Sequence, residues 1–361
     1  MPPKIETIVG VHLERTGGTV ISGERRTTAP RGKEKLPSFT LAAKSLDKFT
    51  WRQDSKEEAA RCVHDIAEMA AKIGSSNLHA VGVAGPGPFQ SLRRHDIKSE
   101  TFGSIHPNRS HFPLQGLNLY ATFKSEIEKL KKSPAADVII HTDAVACAIG
   151  ESIVRQTADR TMLAFFIIGD GIGLGVVRGR SPLRSALHPE IGLLEVQMHK
   201  HEGEAFPIAN YDKTKMSYSV AQMASNIALR ERCNCGNDSL KLALNKLSER
   251  DREIILERRA YYLAQMCLAC TVTLAPHQIV LGQDVDIEPD LAGRVWRHFH
   301  DLKKRRGDAY QPLFEYAELG QSDYVSNASL GSLGTTGALG MLHASLVADR
   351  DENGKFSPEM D

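Results

Sequence analysis

The stretch DVIIHTDAVACAIGE, Asp137 to Glu151, decides the reading of the fold. Its first half is a β-branched apolar run, Val138, Ile139 and Ile140, with the character of a strand, and its second half is rich in small residues at helical spacing. Asp143 stands at the change-over. An ionised carboxylate is costly to bury, so a carboxylate delivered to the end of an apolar strand needs a reason. One reason is function, because ligand crevices of open α/β sheets lie at the C-terminal ends of strands. The other is that Asp143 is an ordinary N-cap of the following helix.

Outward from this stretch, strands and helices alternate. The first residues, IETIVGVHLERTGGTVISGE, predict a hairpin with a tight turn, followed by a polar stretch containing prolines. Residues 55–74 predict a helix with Ser55 as cap, acidic residues in the first turn and a closing Gly74. HAVGVAGPGPF reads as a strand ending in a Gly-Pro loop, GSIHPNRSHFPLQGLNL as loop, and NLYATFKSEIEKLKKS as the helix before DVIIHTD. A second hairpin, TMLAFFIIGDGIGLGVVRG, follows the helix AVACAIGESIVRQT. Then come a strand-like run IGLLEV, a long helical region from about Ser217 to Leu274, a strand HQIVLGQD, a helix EPDLAGRVWRHFHDL and an edge-like strand FEYAEL. LGTTGALGMLHASL reads as a closing helix of small residues and DRDENGKFSPEMD as a frayed tail. Each half opens with a glycine-turned hairpin, which predicts two similar α/β lobes with a cleft between them. Residues 1–140, with 338–361 packing back, make the first lobe, and residues 141–337 the second.

Composition narrows the function. The chain has 361 residues with 41% hydrophobic content, enough for substantial cores. Lys and Arg number 45 against 44 Asp and Glu, so no general electrostatic pull toward nucleic acid or an anionic membrane is expected. No signal-peptide core and no membrane-length apolar run is present, which makes the cytoplasm the expected location. Six scattered cysteines do not suggest a disulfide framework in a chain of this length. Cys267 and Cys270 sit in an apolar helical run and read as core. Cys233 and Cys235 supply at most half of a zinc site.

Two further features could carry chemistry. In FIIGDGIGLGVV, residues 166–177, Gly169, Gly171, Gly173 and Gly175 let the backbone turn sharply and present N–H groups to a phosphate, although a hairpin without a ligand fits the same pattern. The turn does not open a helix as the dinucleotide fingerprint requires. His188-Pro189-Glu190 forms a polar loop cluster, readable as a hydroxyl-binding loop or as ordinary surface.

Together, HTDAVACAIGES, IIGDGIGLGVVRG and LHPEIG resemble the ROK family of sugar kinases, in particular its fructokinase-like branch. YYLAQMCLACTVTLAPHQIVLGQDV is similar to the family's helix-then-strand segment leading to the nucleotide site, and SLGTTGALGMLHASL to its closing helix. VGVAGPGP with ETFGSIHPNRSHFPLQGLNLY is similar to the branch's first sugar-side loops. The resemblance implies an α/β, two-lobed actin-like ATPase (ribonuclease H-like) fold with a central cleft. It implies ATP-dependent phosphorylation of a hydroxyl on a sugar or sugar-like polyol, with Asp143 as general base and Mg²⁺ on the phosphates. Gly85, Thr142, His188 and Glu190 would lie on the substrate side, and Thr16, Gly169, Asp170, Gly171, Gly173, Gly282 and Gln283 on the nucleotide side. A homodimer with no nucleic-acid or membrane partner would be the working form.

The sequence departs from the family in three places. Where the family carries an acidic residue and Gly-Gly-Thr after its first strand, this chain has His12-Leu13-Glu14-Arg15-Thr16, with Gly17-Gly18-Thr19 arriving late. Leu281-Gly282-Gln283-Asp284 replaces a more glycine-rich strand end. Leu193 and Ser219 stand where the family's structural zinc takes His and Cys, so no family-type zinc is expected, and a private site could draw only on Cys233, Cys235 and His199 or His201. The rewritten loop borders the family's sugar site and suggests a substrate other than an ordinary hexose. The competing reading is a catalytically silent sugar- or metabolite-binding relative acting through partners. The family's repressor branch would need a helix-turn-helix module before Ile5, and a non-kinase enzyme with Asp143 as base is the residual reading.

Overall fold

The computed structural model describes residues 4–346 apart from 16, 29–37, 53–54, 74–76, 93–95, 108–112, 130–135, 184–188, 213, 216, 236–238, 284–286 and 306–323, with the backbone alone at 4, 27, 28 and 38–46. Thr16, His188, the edge-like strand FEYAEL and the tail therefore lie outside the described residues. The chain divides into two units, Met1–Val154 with Gly334–Asp361, and Arg155–Leu333. In chain order the first contains β1 (Lys4–Leu13), β2 (Gly17–Thr28), β3 (Ser38–Thr50), α1 (Lys56–Ile73), β4 (Leu78–Gly85), α2 (Leu119–Lys129), β5 (Asp137–Thr142) and α3 (Asp143–Val154). The second contains β6 (Met162–Ile168), β7 (Ile172–Arg178), β8 (Ser181–Pro182), β9 (Glu195–Val196), β10 (Tyr218–Ser219), α4 (Val220–Ala224), α5 (Asn226–Cys233), α6 (Leu240–Lys246), α7 (Glu249–Leu274), β11 (Gln278–Gln283), α8 (Leu291–Arg305) and β12 (Val325–Asn327). A closing helix, α9 (Leu333–Leu346), returns to the first unit.

The two main sheets share one plan. Their strand orders are β3-β2-β1-β4-β5 and β12-β11-β6-β7-β8. In each, an antiparallel hairpin, β1/β2 or β6/β7, lies beside strands parallel to its first member. Period-2 alternation sorts the first sheet into two faces. Val9, Val11, Leu13, Val81, Val83, Val138 and Ile140 join α1 and α2 in one core. On the other face Gly10, Gly82 and Ala84 stand among Ile8, Ile21 and Ile139, and α9 lies directly on the strands: its backbone fills the space where Cβ atoms on Gly10 and Gly82 would project. The same helix crosses α3 at Gly150 and Gly340, where an added Cβ would overlap the carbonyl oxygens of Thr336 and Ala146. Only glycine permits that approach. The small-residue pattern of LGTTGALGMLHASL is thus a packing device, and Ser345 seals it by donating to the Val9 carbonyl at 3.0 Å.

Three local expectations need correction. The polar stretch after the first hairpin contains β3, a thirteen-residue edge strand that pairs with β2 on both sides of a bulge at Lys44. Its backbone bonds hold it there despite the weak apolar alternation. IGLLEV is mostly a 3₁₀ turn, Ile191–Leu193, because Gly192 sits against the Ile172 carbonyl, and only Glu195–Val196 is strand. The helical region before Leu274 is four helices. Ser219, Ser225, Ser239 and Ser248 each accept an N–H three residues on, and each starts a helix afresh.

Candidate active site

In the first unit the register aligns three of the sequence-predicted positions. Gly85 and Thr142 are partners across β4 and β5, and Asp143 follows at once as the first residue of α3. Thr142, buried, accepts from the Val145 N–H at 3.4 Å and so takes the cap position. Asp143 is half-buried and accepts from Ala144 N–H at 2.7 Å. Thr142 holds the cap position, and the Asp143 carboxylate also accepts a first-turn N–H of α3. His12 pairs with Ala84, and Ala84 with His141, so the C-terminal ends of β1, β4 and β5 form one row, about 5 Å between neighbouring strands.

In the second unit, Ile168 and Ile172 close a three-residue turn, Gly169-Asp170-Gly171. The turn is tied from inside and outside. Gly169 N–H donates to the Gly171 carbonyl at 2.9 Å, so that donor is not available to a ligand, and the Gly169 carbonyl accepts from Asn226 N–H at 2.8 Å. Arg230, one helical turn along α5, donates to Asp170 Oδ1 at 2.7 Å and remains substantially exposed. Gly173 lies in the ladder opposite Ile167. Behind α5, the fully buried Arg259 of α7 donates to the Ala224 carbonyl and to Asn226 Oδ1, at 3.0 and 2.8 Å, and so holds the α4–α5 corner that carries Asn226. Glu190 is exposed at the start of the 3₁₀ turn whose Gly192 rests on the Ile172 carbonyl of the glycine hairpin.

Gly282 ends up inside the core, against the Phe165 ring and Leu333, and Gln283 donates to the Glu288 carbonyl at 3.1 Å. Beside them the Glu288 carboxyl is buried, 2.9 Å from Arg294 Nε; burial drives it up to about 7 against the pull of Arg259 and Arg294.

The loop that replaces the family's zinc segment is organised by charge. Glu202 accepts from Arg232 Nη1 at 2.6 Å and from the Tyr262 hydroxyl at 2.8 Å, with both side chains of the ion pair fully buried. Arg232 also donates to the Phe206 carbonyl, and Arg258 to the carbonyls of Ala205 and His201. His201 pairs with Glu204 at 2.9 Å, and burial pushes the His199 imidazole below its usual range. Burial lifts the Cys233 thiol to about 11. Among the described residues no three His, Cys, Asp or Glu side chains are placed to hold a metal ion. Reading the sequence missed Arg230, Asn226, Arg259 and the Glu202–Arg232–Tyr262 cluster. One signal for the arginines was available: Arg258-Arg259 interrupts an otherwise apolar helix face, where charge survives only with partners.

Residues 46–326 match the ROK family, and the chain belongs to that family. A fructokinase of Lactococcus lactis subsp. cremoris is 23% identical over 257 residues, covering 71% of this chain and 79% of the relative. A ROK family glucokinase from Streptomyces griseus, solved in complex with glucose and AMPPNP, has a TM-score of 0.58 at 15% identity, covering 94% of this chain and 98% of that one. A ROK family transcriptional regulator, a homologue of the E. coli MLC protein, has a TM-score of 0.60 at 16% identity, covering 94% and 78%. These likenesses show the fold, the α/β actin-like ATPase fold. Among the described residues no helix is long and apolar enough to cross a membrane.

Proposed function

We propose that this chain is a kinase that transfers a phosphoryl group from ATP to a hydroxyl of a sugar or sugar-like polyol, with Asp143 as the general base. The observation that carries the reading is the placement of Asp143. A half-buried carboxylate, one oxygen of which accepts the Ala144 N–H, stands at the C-terminal edge of the sheet next to the paired Gly85 and Thr142. In that role it accepts the proton of the attacking hydroxyl as the new P–O bond forms. Glu190, exposed on its loop, and His188 bind neighbouring hydroxyls, the carboxylate accepting and the imidazole donating or accepting.

The second unit's turn fits a polyphosphate. Gly171 is exposed, and the Arg230 guanidinium beside it offers a forked donor while offsetting the charge of Asp170. The Gly169–Gly173 turn and Arg230 would hold ATP, which supplies the transferable phosphoryl group. Magnesium in such sites rides largely on the phosphates, with only one or two carboxylates from the protein. Gly282 and Gln283 contribute to the wall of this unit in the reading, and the assembly is a homodimer.

The second reading, a silent metabolite-binding relative acting through partners, is favoured by the carboxylate that Glu14 brings to the first hairpin, and the family includes a regulator. Calorimetry with MgATP and a coupled ADP-release screen over sugars and cyclitols, on wild type and Asp143→Asn, separates the two. The kinase reading requires that both proteins bind MgATP alike and that the variant turns over about 10²–10⁴-fold more slowly. Absence of nucleotide binding, or turnover undiminished by the substitution, rejects it.

A further inference from the structure

We propose that Arg259 is a positioning residue for the turn Gly169-Asp170-Gly171, acting on it through Asn226. α4 and α5 are separated by a single residue, Ser225, whose extended backbone, φ −67° and ψ 170°, ends the first helix and caps the second. This break takes Asn226 out of the α4 ladder and makes it the first residue of α5, where a backbone N–H has no acceptor within its own helix. The Asn226 N–H donates instead to the Gly169 carbonyl at 2.8 Å. One helical turn on, Arg230 reaches Asp170 Oδ1 at 2.7 Å. α5 thus grips the turn at two successive residues.

Arg259 holds α5 in that pose from behind. Its Nε donates to the Ala224 carbonyl at 3.0 Å and its Nη2 to Asn226 Oδ1 at 2.8 Å, one acceptor on each side of the Ser225 corner. The planar fork of a guanidinium fixes two acceptors relative to each other, which a flexible ammonium does not. Arg259 is 1% exposed and Asn226 2%. A buried guanidinium is costly, and an apolar side chain of similar volume would fill the space without that cost. Glu288, itself buried, draws it by charge. What the guanidinium adds over an apolar residue is the fixed angle of the corner. The Oδ1 that Arg259 holds and the N–H that holds Gly169 belong to one residue, so a shift at the first is passed to the second. The turn follows as a unit, because Gly169 N–H closes on the Gly171 carbonyl at 2.9 Å and Ile168 pairs with Ile172 at its base. In the kinase reading, on which the nucleotide part of this inference rests, the turn carries the polyphosphate, and a displacement of about 1 Å there is costly for transfer.

The test uses the full chain with Arg259→Met, Asn226→Ala and the double variant. Thr271→Val is the control in the same helix, since that hydroxyl bonds the Cys267 carbonyl and the Tyr324 hydroxyl rather than α5. Arg259→Met and Asn226→Ala each bind MgAMPPNP about tenfold more weakly than wild type in calorimetry. The double variant binds no more weakly than the weaker single, because the two residues act in series. Thr271→Val melts lower and binds MgAMPPNP as wild type does. Hydrogen exchange of Arg259→Met quickens at residues 166–172 and 224–230 and stays at the wild-type rate elsewhere in the second unit. Single-variant affinities within about twofold of wild type, or a double variant that loses the product of the two single losses, overturn the inference. Equal weakening in Thr271→Val, or exchange that quickens evenly across the second unit, overturns it too, because the effect is then lost stability alone. If Arg259→Met does not fold, Asn226→Ala, which keeps the backbone N–H, decides by the same criteria. If wild type binds no MgAMPPNP, the kinase reading fails, and the local exchange at residues 166–172 alone decides whether Arg259 positions the turn.

Discussion

The Glu202–Arg232 pair is the place where a single substitution does the most measurable damage in the second unit. Both side chains are fully buried, the guanidinium donates at 2.6 Å, and Tyr262 donates to the second carboxylate oxygen at 2.8 Å. Glu202→Leu removes the acceptor of two buried donors and leaves an uncompensated arginine, a loss of about 3–5 kcal/mol for breaking a buried pair from one side. For a unit of this size that corresponds to a fall in melting temperature of about 6–20 °C. Replacing both partners, Glu202→Leu with Arg232→Met, exchanges the pair for apolar groups of similar volume and recovers most of the loss, because the cost lies in the stranded charge. The assay is thermal unfolding by circular dichroism of wild type, the two single variants and the double variant. If Glu202→Leu melts within about 1 °C of wild type, or the double variant loses the sum of the single losses, the pair does not hold the loop as argued.

Three further outcomes are expected. Gly340→Val forces a side chain into the Ala146 carbonyl and lowers the stability of the first unit by more than about 4 kcal/mol or prevents folding, read by denaturant titration of the purified chain. Glu288, with its folded value raised from 4.5 to about 7, contributes stability that is fully present below the unfolded value and is lost as pH rises through 7. Between those limits wild type loses on the order of 3 kcal/mol relative to Glu288→Gln, and parallel pH profiles for the two proteins would contradict this. Chelation by EDTA leaves the melting temperature unchanged, because the loop of residues 197–212 is held by Glu202, Arg232 and Arg258; a fall reversed by added zinc would show a metal among its supports.

The sheet plan was readable because the deciding segments are strongly periodic: Val138 and Ile140 face one core while α3 starts where the small residues begin. The glycine hairpin was equally visible, since few other segments place four glycines between two apolar runs. What could not be read was long-range. β3 reveals itself by pairing with β2, and pairing is not a property of its own residues. Gly282 reads as a nucleotide-side glycine in sequence, and its place against Phe165, where a Cβ would overlap the ring, is a long-range feature that sequence does not carry. Arg259 looks like one more charge on a helix until Asn226, thirty-three residues away, is seen to depend on it. Glu14 was visible as a departure from the family, but Gly334, which its carboxylate approaches, stands at the far end of the chain.

That separation bears on how the protein is made. One face of the first sheet packs on α9 around Ile8 and Ile21, with α3 joining it at Ala84 and Ile139 through Ala146, and the residues of α9 are the last of the described chain. During vectorial synthesis the first unit leaves the ribosome with that face lacking α9 while the whole second unit is translated, at roughly 5–20 residues per second. For about ten seconds or more a stripe of glycines and aliphatic side chains therefore awaits a helix that does not yet exist. The second unit, contiguous in sequence, faces no such delay. Translation of α9, rather than emergence of its own strands, therefore sets the moment at which the first unit can complete its packing.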